Sequence, residues 1–203
     1  LLPGEVLVYR RRFALPASWR GKRVILHFEA VDYEARASLN GKVLGSHRGG
    51  YSPFSFDITD CLKAGDGNEL QVEVRDSTDS SSQSRGKQSL KPSGIWYTAA
   101  SGIWGPVWLE PVPLAHIASV EPSGDPASGR VSLKVAIEGA SQGERLSASI
   151  GAEGKRLGET SLVFAEKRSP SSSNMTTFAE LELTVPHPRP WSPESPFLYA
   201  LSL

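Results

Sequence analysis

The sequence predicts an all-β chain: a jelly-roll β-sandwich over residues 1–112, followed by an immunoglobulin-like β-sandwich over residues 113–203. Three observations predict it. Apolar and polar residues alternate with a period of two through most of the chain, as in strands with one buried face. No segment carries the 3.6-residue period of a long helix. Glycine, proline and asparagine punctuate the alternating runs at short intervals, the texture of sandwiches and jelly rolls.

The elements follow in order. In KRVILHFEAVD, Val24, Leu26, Phe28 and Ala30 share one face, and Ile25, His27 and Glu29 the other. Ala35, Ala37 and Leu39 alternate with Glu34, Arg36 and Ser38, and Asn40-Gly41 then supplies a tight hairpin turn. Phe54, Phe56 and Ile58 alternate, as do Leu70, Val72 and Val74. A short helical turn is expected over Thr59–Lys63, capped by Asp57 or Thr59. Val107 and Leu109 form a further inward pair, with Trp108 and Glu110 opposite.

PVPLAH, residues 111–116, marks a break, because two nearby prolines interrupt sheet pairing and stiffen a connection. Beyond it come four inward sets. They are Val131, Leu133, Val135 and Ile137; Leu146, Ala148 and Ile150; Ala179, Leu181, Leu183 and Val185; and Phe197, Tyr199, Leu201 and Leu203. SLVFAEK reads as one more strand and RSPSSSNMT as loop. Several short strands in this length fit an immunoglobulin-like sandwich, on patterning alone, since its Cys…Trp…Cys spacing is absent. The chain ends on an apolar strand, which suggests a piece of a longer protein.

Composition narrows the function classes. Basic and acidic residues balance at 22 each, and the one basic cluster, Arg10-Arg11-Arg12, is split between strand faces by alternation. Nucleic acid is therefore not the expected partner, because affinity for it rests on concentrated positive charge. No run reaches the ~20 apolar residues of a membrane span. The first residues do not form a signal peptide, and the compartment stays open. One cysteine, Cys61, excludes an internal disulfide and reads as a buried thiol. Asn174-Met175-Thr176 is a glycosylation sequon, meaningful only in a secreted protein.

No metal or cofactor signature emerges. His27, His47, His116 and His187 lack ligand spacing, and His27 sits in a strand where a structural role is expected. The loop Lys63–Asn68, with Asp66 and Asn68, offers oxygen ligands for calcium but no EF-hand pattern. Nucleotide-binding glycine motifs and a nucleophile elbow are missing. Ser80–Ser84 reads as solvated loop, and Asp57 and Asp60 as turn caps. No carboxylate pair can be assigned to catalysis from spacing.

One segment stands apart. RGKQSLKPSGIWYTAASGIWGPVWLE, residues 85–110, holds three of the five tryptophans and repeats Gly-Ile-Trp. Trp96, Tyr97, Trp104 and Trp108 have two readings: core and lid between the sandwich layers, or a platform for the apolar face of a sugar. Trp104 and Trp108 are assigned mainly structural roles. Arg85, Lys87 and Gln88 stand just upstream, where they would bond sugar hydroxyls.

Five stretches resemble the N-terminal part of the family 2 glycoside hydrolases, the beta-galactosidase, beta-glucuronidase and beta-mannosidase group. They are YRRRFALPASWRGKRVILHFEAVDYEARASLNGKVLG (9–45), HRGGYSPFSFDITDCL (47–62), NELQVEV (68–74), SGIWGPVWLEPV (101–112) and the tail PHPRPWSPESPFLYALSL. Their order matches and they span nearly the whole chain. The resemblance implies a sugar-binding, galactose-binding-domain-like jelly roll, then an immunoglobulin-like domain, then a catalytic (β/α)₈ barrel. A barrel takes about 250 residues, more than the 203 of the chain can hold beside two β domains. The family's two catalytic glutamates lie in the barrel, so no catalytic residue is expected here. The expected partners are the barrel of a parent chain and a carbohydrate, and self-association stays open. The chain alone would not hydrolyse a glycoside; the parent would, with retention.

In the family, the first domain lends an aspartate just before the S-G-I segment to the site rim. Here no aspartate lies between Gln88 and Glu110. The rim residues expected instead are Arg85, Lys87, Gln88, Trp96 and Tyr97. Ser101–Glu110 is expected as a final strand closing the core through Ile103, Val107 and Leu109, and Arg85–Tyr97 as a loop reaching toward the barrel. Two other readings are a stand-alone carbohydrate-binding module and a two-domain adhesion protein.

Overall fold

The computed structural model describes residues 1–2, 4–63, 65, 67–164 and 176–203. They form two compact units, Leu1–Pro113 and Leu114–Leu203, both built from strands.

In the first unit the strands are β1 (Leu7–Phe13), β2 (Arg23–Phe28), β3 (Val31–Asp32), β4 (Glu34–Leu39), β5 (Lys42–Arg48), β6 (Phe54–Asp57), β7 (Asn68–Arg75), β8 (Gln88–Ser89), β9 (Tyr97–Thr98), β10 (Gly102–Ile103) and β11 (Val107–Val112). One sheet runs β1-β7-β4-β5 and another β11-β2-β6, all antiparallel. Their alternate residues make one core: Val24, Leu26 and Phe28 pack with Ala35, Ala37, Leu39, Ile58, Leu70, Val72 and Val74. The all-β, sandwich-building pattern of the sequence is therefore the observed one.

Local chemistry fixes the corners. Asn40 and Gly41 both take positive φ (53° and 83°), the geometry of a two-residue hairpin turn. Asn40 also accepts from Glu69 N and donates to Cys61 O and Asn68 Oδ1. A short 3-10 turn covers Thr59–Cys61, inside the expected Thr59–Lys63. Asp57 Oδ1 accepts from Thr59 N (2.9 Å) and Thr59 Oγ1 (2.5 Å), while Asp57 Oδ2 pairs with Arg23. Burial pushes the Asp57 carboxyl up, but the Thr59 hydrogen bonds and the Arg23 guanidinium outweigh it and hold it below the ordinary aspartate range.

The second unit contains β12 (His116–Asp125), β13 (Arg130–Glu138), β14 (Arg145–Ala152), β15 (Lys155–Val163), β16 (Thr176–Thr184) and β17 (Ala200–Ser202). Sheets β12-β13-β16 and β15-β14-β17 enclose Leu133, Val135, Ile137, Leu146, Ala148, Ile150, Ala179, Leu181, Leu183 and Val185. Glu153 and Gly154, both at positive φ, turn β14 into β15.

Four expectations need correction or fall elsewhere. Ser101–Glu110 is two strands, not one: β10 pairs with β3 and β11 with β2. Between them Trp104 N and Gly105 N both bond Ala30 O (3.3 and 3.2 Å), and Pro106 offers no donor. The C-terminal strand is only Ala200–Ser202: Phe197 N bonds Ser195 O rather than a neighbouring strand, and Leu203 is exposed. Cys61 is half-buried against the core rather than fully buried, because it closes the surface turn. SLVFAEK is strand through Val163; its last three residues, most of RSPSSSNMT and the sequon's Asn174 lie outside the described residues.

Asp57 and Arg23 are both mostly buried, so removing one partner leaves the other's charge uncompensated. Asp57→Ala is expected to cost about 2–3 kcal/mol at pH 7, by denaturant unfolding. Because the folded-state value is depressed, this contribution is present above the unfolded aspartate value. It fades as pH falls through the folded one, so variant and parent converge in acid.

Candidate functional site

The segment from Asp76 to Ser101 is built around two carboxylate acceptors. Asp76 directly follows β7 and accepts from Thr78 N (2.7 Å), Thr78 Oγ1 (3.3 Å), Gln83 Nε2 (2.6 Å) and Ser101 Oγ (2.5 Å). Burial pushes this carboxyl up, but the four donors outweigh it and hold it below its ordinary value. Asp79 Oδ2 accepts from Ser89 Oγ (2.8 Å) and Leu90 N (3.2 Å), and the Ser89 bond is the main reason its carboxyl sits low. Two glycines at positive φ, Gly86 and Gly94, make the turns. Gln88 N bonds Arg85 O, Trp96 N bonds Ser93 O, and Tyr97 N bonds Lys87 O (2.8 Å). The parallel pair Gln88↔Tyr97 and Ser89↔Thr98 closes the loop.

The five residues singled out from sequence fall into two groups. Arg85, Lys87, Trp96 and Tyr97 stand on the outside of this loop. The Arg85 guanidinium lies 5.8 Å from the Trp96 ring centroid. Tyr97 is 67% exposed, beside exposed Ile95, and Lys87 reaches into solvent. Gln88 turns inward instead: its Nε2 donates to Asp32 Oδ2 (3.3 Å) and its Oε1 accepts from Ala100 N (2.5 Å).

A second loop adds to the face. Trp104 Nε1 donates to Gly50 O at 2.8 Å, and the Trp104 ring meets Tyr51 edge-on at 5.8 Å. A Cβ placed on Gly86 would lie 3.7 Å from the Tyr51 hydroxyl, so the two loops abut there. Tyr51, Trp96, Tyr97 and Trp104 are thus exposed aromatics of loops that meet at Gly86 and Tyr51, and are treated together as an aromatic face. Tyr51 escaped sequence reasoning; its signal is HRGGY, where paired glycines bring a tyrosine to a turn.

The structural assignment of Trp104 and Trp108 is corrected. Trp104 is 61% exposed and Trp108 41%. Period-two alternation prevails over the pull of a large aromatic: Ile103 and Leu109 pack on the core, so Trp104 and Trp108 point out. Val107, expected inward, is part-exposed at the end of its strand. Trp108 lies flat on His27 (4.0 Å between centroids), and His27 Nε2 pairs with Glu110 at 3.0 Å, so the part-buried histidine has structural contacts.

Beneath the face lies Asp32, only 6% exposed. Its Oδ1 has no hydrogen-bond partner, and a Cβ on Gly50 would stand 2.7 Å from that oxygen. Burial is the main cause that pushes its carboxyl above the ordinary range; the Gln88 hydrogen bond opposes this and the charge of Asp76 adds to it. Among the described residues, no three His, Cys, Asp or Glu side chains gather as a metal site. At the loop considered for calcium, Asn68 Oδ1 already accepts from Asn40 Nδ2 and Lys63 N, and Asp66 lies outside the described residues.

Comparison with known proteins places two family models on the chain. "Glycosyl hydrolase 2 galactose-binding domain-like" matches residues 4–103, and "Glycosyl hydrolases family 2" matches residues 115–203. A beta-galactosidase of Thermoanaerobacter pseudethanolicus is 31% identical, over 96% of this chain and 25% of that protein. A putative beta-glucuronidase of Formosa agariphila is 31% identical, over 97% of this chain and 17% of its own length. The crystal structure of a Bacteroides uniformis beta-glucuronidase superposes with a TM-score of 0.77 at 26% identity, covering 97% of this chain and 24% of that one. The chain therefore spans a quarter or less of the length of these relatives.

Exposure sets the expected cost of removing an aromatic from the face. Trp104→Ala forfeits one hydrogen bond and one edge contact but little burial, so thermal unfolding should show a loss of about 1 kcal/mol. A loss of 3 kcal/mol or more, the cost of emptying a buried tryptophan site, would contradict its surface position.

Proposed function

The chain belongs to glycosyl hydrolase family 2, and from that premise we propose that it is the non-catalytic N-terminal region of a larger retaining β-glycoside hydrolase. Residues 1–112 serve as the carbohydrate-binding jelly roll and 113–203 as the immunoglobulin-like domain. A catalytic barrel elsewhere in the parent chain carries the acid/base and nucleophile carboxylates that hydrolysis needs. The relatives' names, beta-galactosidase and beta-glucuronidase, support a β-linked sugar as substrate.

The observation that carries this reading is the aromatic face. Tyr51, Trp96, Tyr97 and Trp104 are all exposed, on loops held by the Asp76 and Asp79 carboxylates. Contiguous exposed aromatics usually mark a contact site. A pyranose lays its C–H face on an indole or phenol ring, while its hydroxyls find Arg85 and Lys87. Gln88 serves the same site from below, as the tie between loop and core. In the parent protein this face forms one wall of the sugar site.

The test is calorimetric titration of the chain with β-galactosides and β-glucuronides, alongside a turnover assay. Binding without turnover is expected. Trp96→Ala or Tyr97→Ala should weaken it about tenfold, the equivalent of ~1.4 kcal/mol of lost stacking. Hydrolysis by pure chain, or affinity that ignores both substitutions, would overturn the reading.

A further inference from the structure

Two aspartates are buried beneath the aromatic face, and their surroundings differ. Asp76 has four donors on its two oxygens. Asp32 has one donor on one oxygen, and among the described residues its Oδ1 is the one buried side-chain oxygen or nitrogen left bare. An ionised carboxylate in such a place is costly unless donors or a cation compensate it. Asp76 is equipped to hold a charge; Asp32 is equipped to be neutral.

Among the described residues, no cation is paired with Asp32. Asp76, which follows β7, opposes its ionisation, and Glu34 on β4 and Arg75 on β7 are cross-strand partners of each other. Arg48 is paired with Glu34. His47 on β5 bonds Ser52, and Lys87 beside Gln88 is exposed. The walls that do touch Asp32 are Gly50 and the Gln88 amide. Each carries half of the face: Gly50 O holds the Trp104 indole, and Gln88 pairs with Tyr97.

We propose that Asp32 is a positioning residue for the aromatic face: as a neutral carboxylic acid it lets the Gly50 wall close on its bare oxygen, and its ionisation, which tightens the Gln88 hydrogen bond, pushes the Gly50 wall away. A new charge on that oxygen is relieved by movement of the Gly50 wall, and that movement shifts the Trp104 ring. The sign follows from a folded-state value raised above the unfolded one. The ordered face is fully favoured below the unfolded aspartate value of 3.8, and is lost as pH rises through the folded-state one. A consequence for ligand affinity rests on the carbohydrate reading above; the positioning role itself does not.

Nuclear magnetic resonance on the isotope-labelled chain tests it without any sugar, so a failed carbohydrate titration leaves the result standing. From about pH 3.5 to 8 the Asp32 carboxyl carbon and the Trp104 indole N–H are followed together. Both should move with one midpoint above the ordinary aspartate value. Asp32→Asn should abolish the indole transition and hold its low-pH position throughout. Gln88→Ala removes the donor that favours the ionised form and should move the midpoint up, a readout that survives if the Asn variant does not fold. His47→Gln should leave the transition in place. An Asp32 midpoint at the ordinary value, an indole signal that ignores it, a midpoint unmoved by Gln88→Ala, or a transition lost with His47 would each overturn the proposal.

Discussion

The candidate face depends on one buried carboxylate. Asp76 sits where β7 leaves its sheet and gathers the Thr78 turn, Gln83 and Ser101 onto its two oxygens. Every hydrogen bond to it closes a span of chain: two residues to Thr78, seven to Gln83 and twenty-five to Ser101. A long exposed loop ordinarily loses its shape to chain entropy. Here the root of the loop is tied to the sheet at both ends, and Asp79 ties its middle through Ser89 and Leu90. The aromatic rings are displayed outward because the polar residues between them are engaged inward.

The two-layer core was readable from sequence because its cause is local. A strand has two faces, and Val24, Leu26 and Phe28 or Leu70, Val72 and Val74 declare which face is inside. The same rule placed Leu133, Val135 and Ile137, and Leu146, Ala148 and Ile150, in the second core. The hairpin at Asn40-Gly41 was readable because few residue pairs accept its geometry. The fold and family reading drew on motif order, which composition does not encode.

The site was harder to read. Trp96 and Tyr97 were visible as aromatics in a glycine-broken segment, but the inward turn of Gln88 depends on Asp32, fifty-six residues away in sequence. Tyr51 and Trp104 meet only because Gly50 offers its carbonyl to an indole fifty-four residues on. Such contacts have no period and no spacing. Trp104 and Trp108 illustrate the opposite hazard: bulk suggested burial, while strand parity, plainly written in Ile103 and Leu109, put both rings outside.

The junction between β10 and β11 has a practical consequence. A side chain on Gly102 would run into the Tyr9 hydroxyl, and one on Gly105 into the backbone of Ala30. Ala30 O meanwhile binds two successive amides at the bend. Anyone seeking to vary the aromatic face of this scaffold by randomising codons should leave 102 and 105 alone. Diversity belongs at 95–97 and 51, where the termini of the side chains meet water rather than a neighbouring strand.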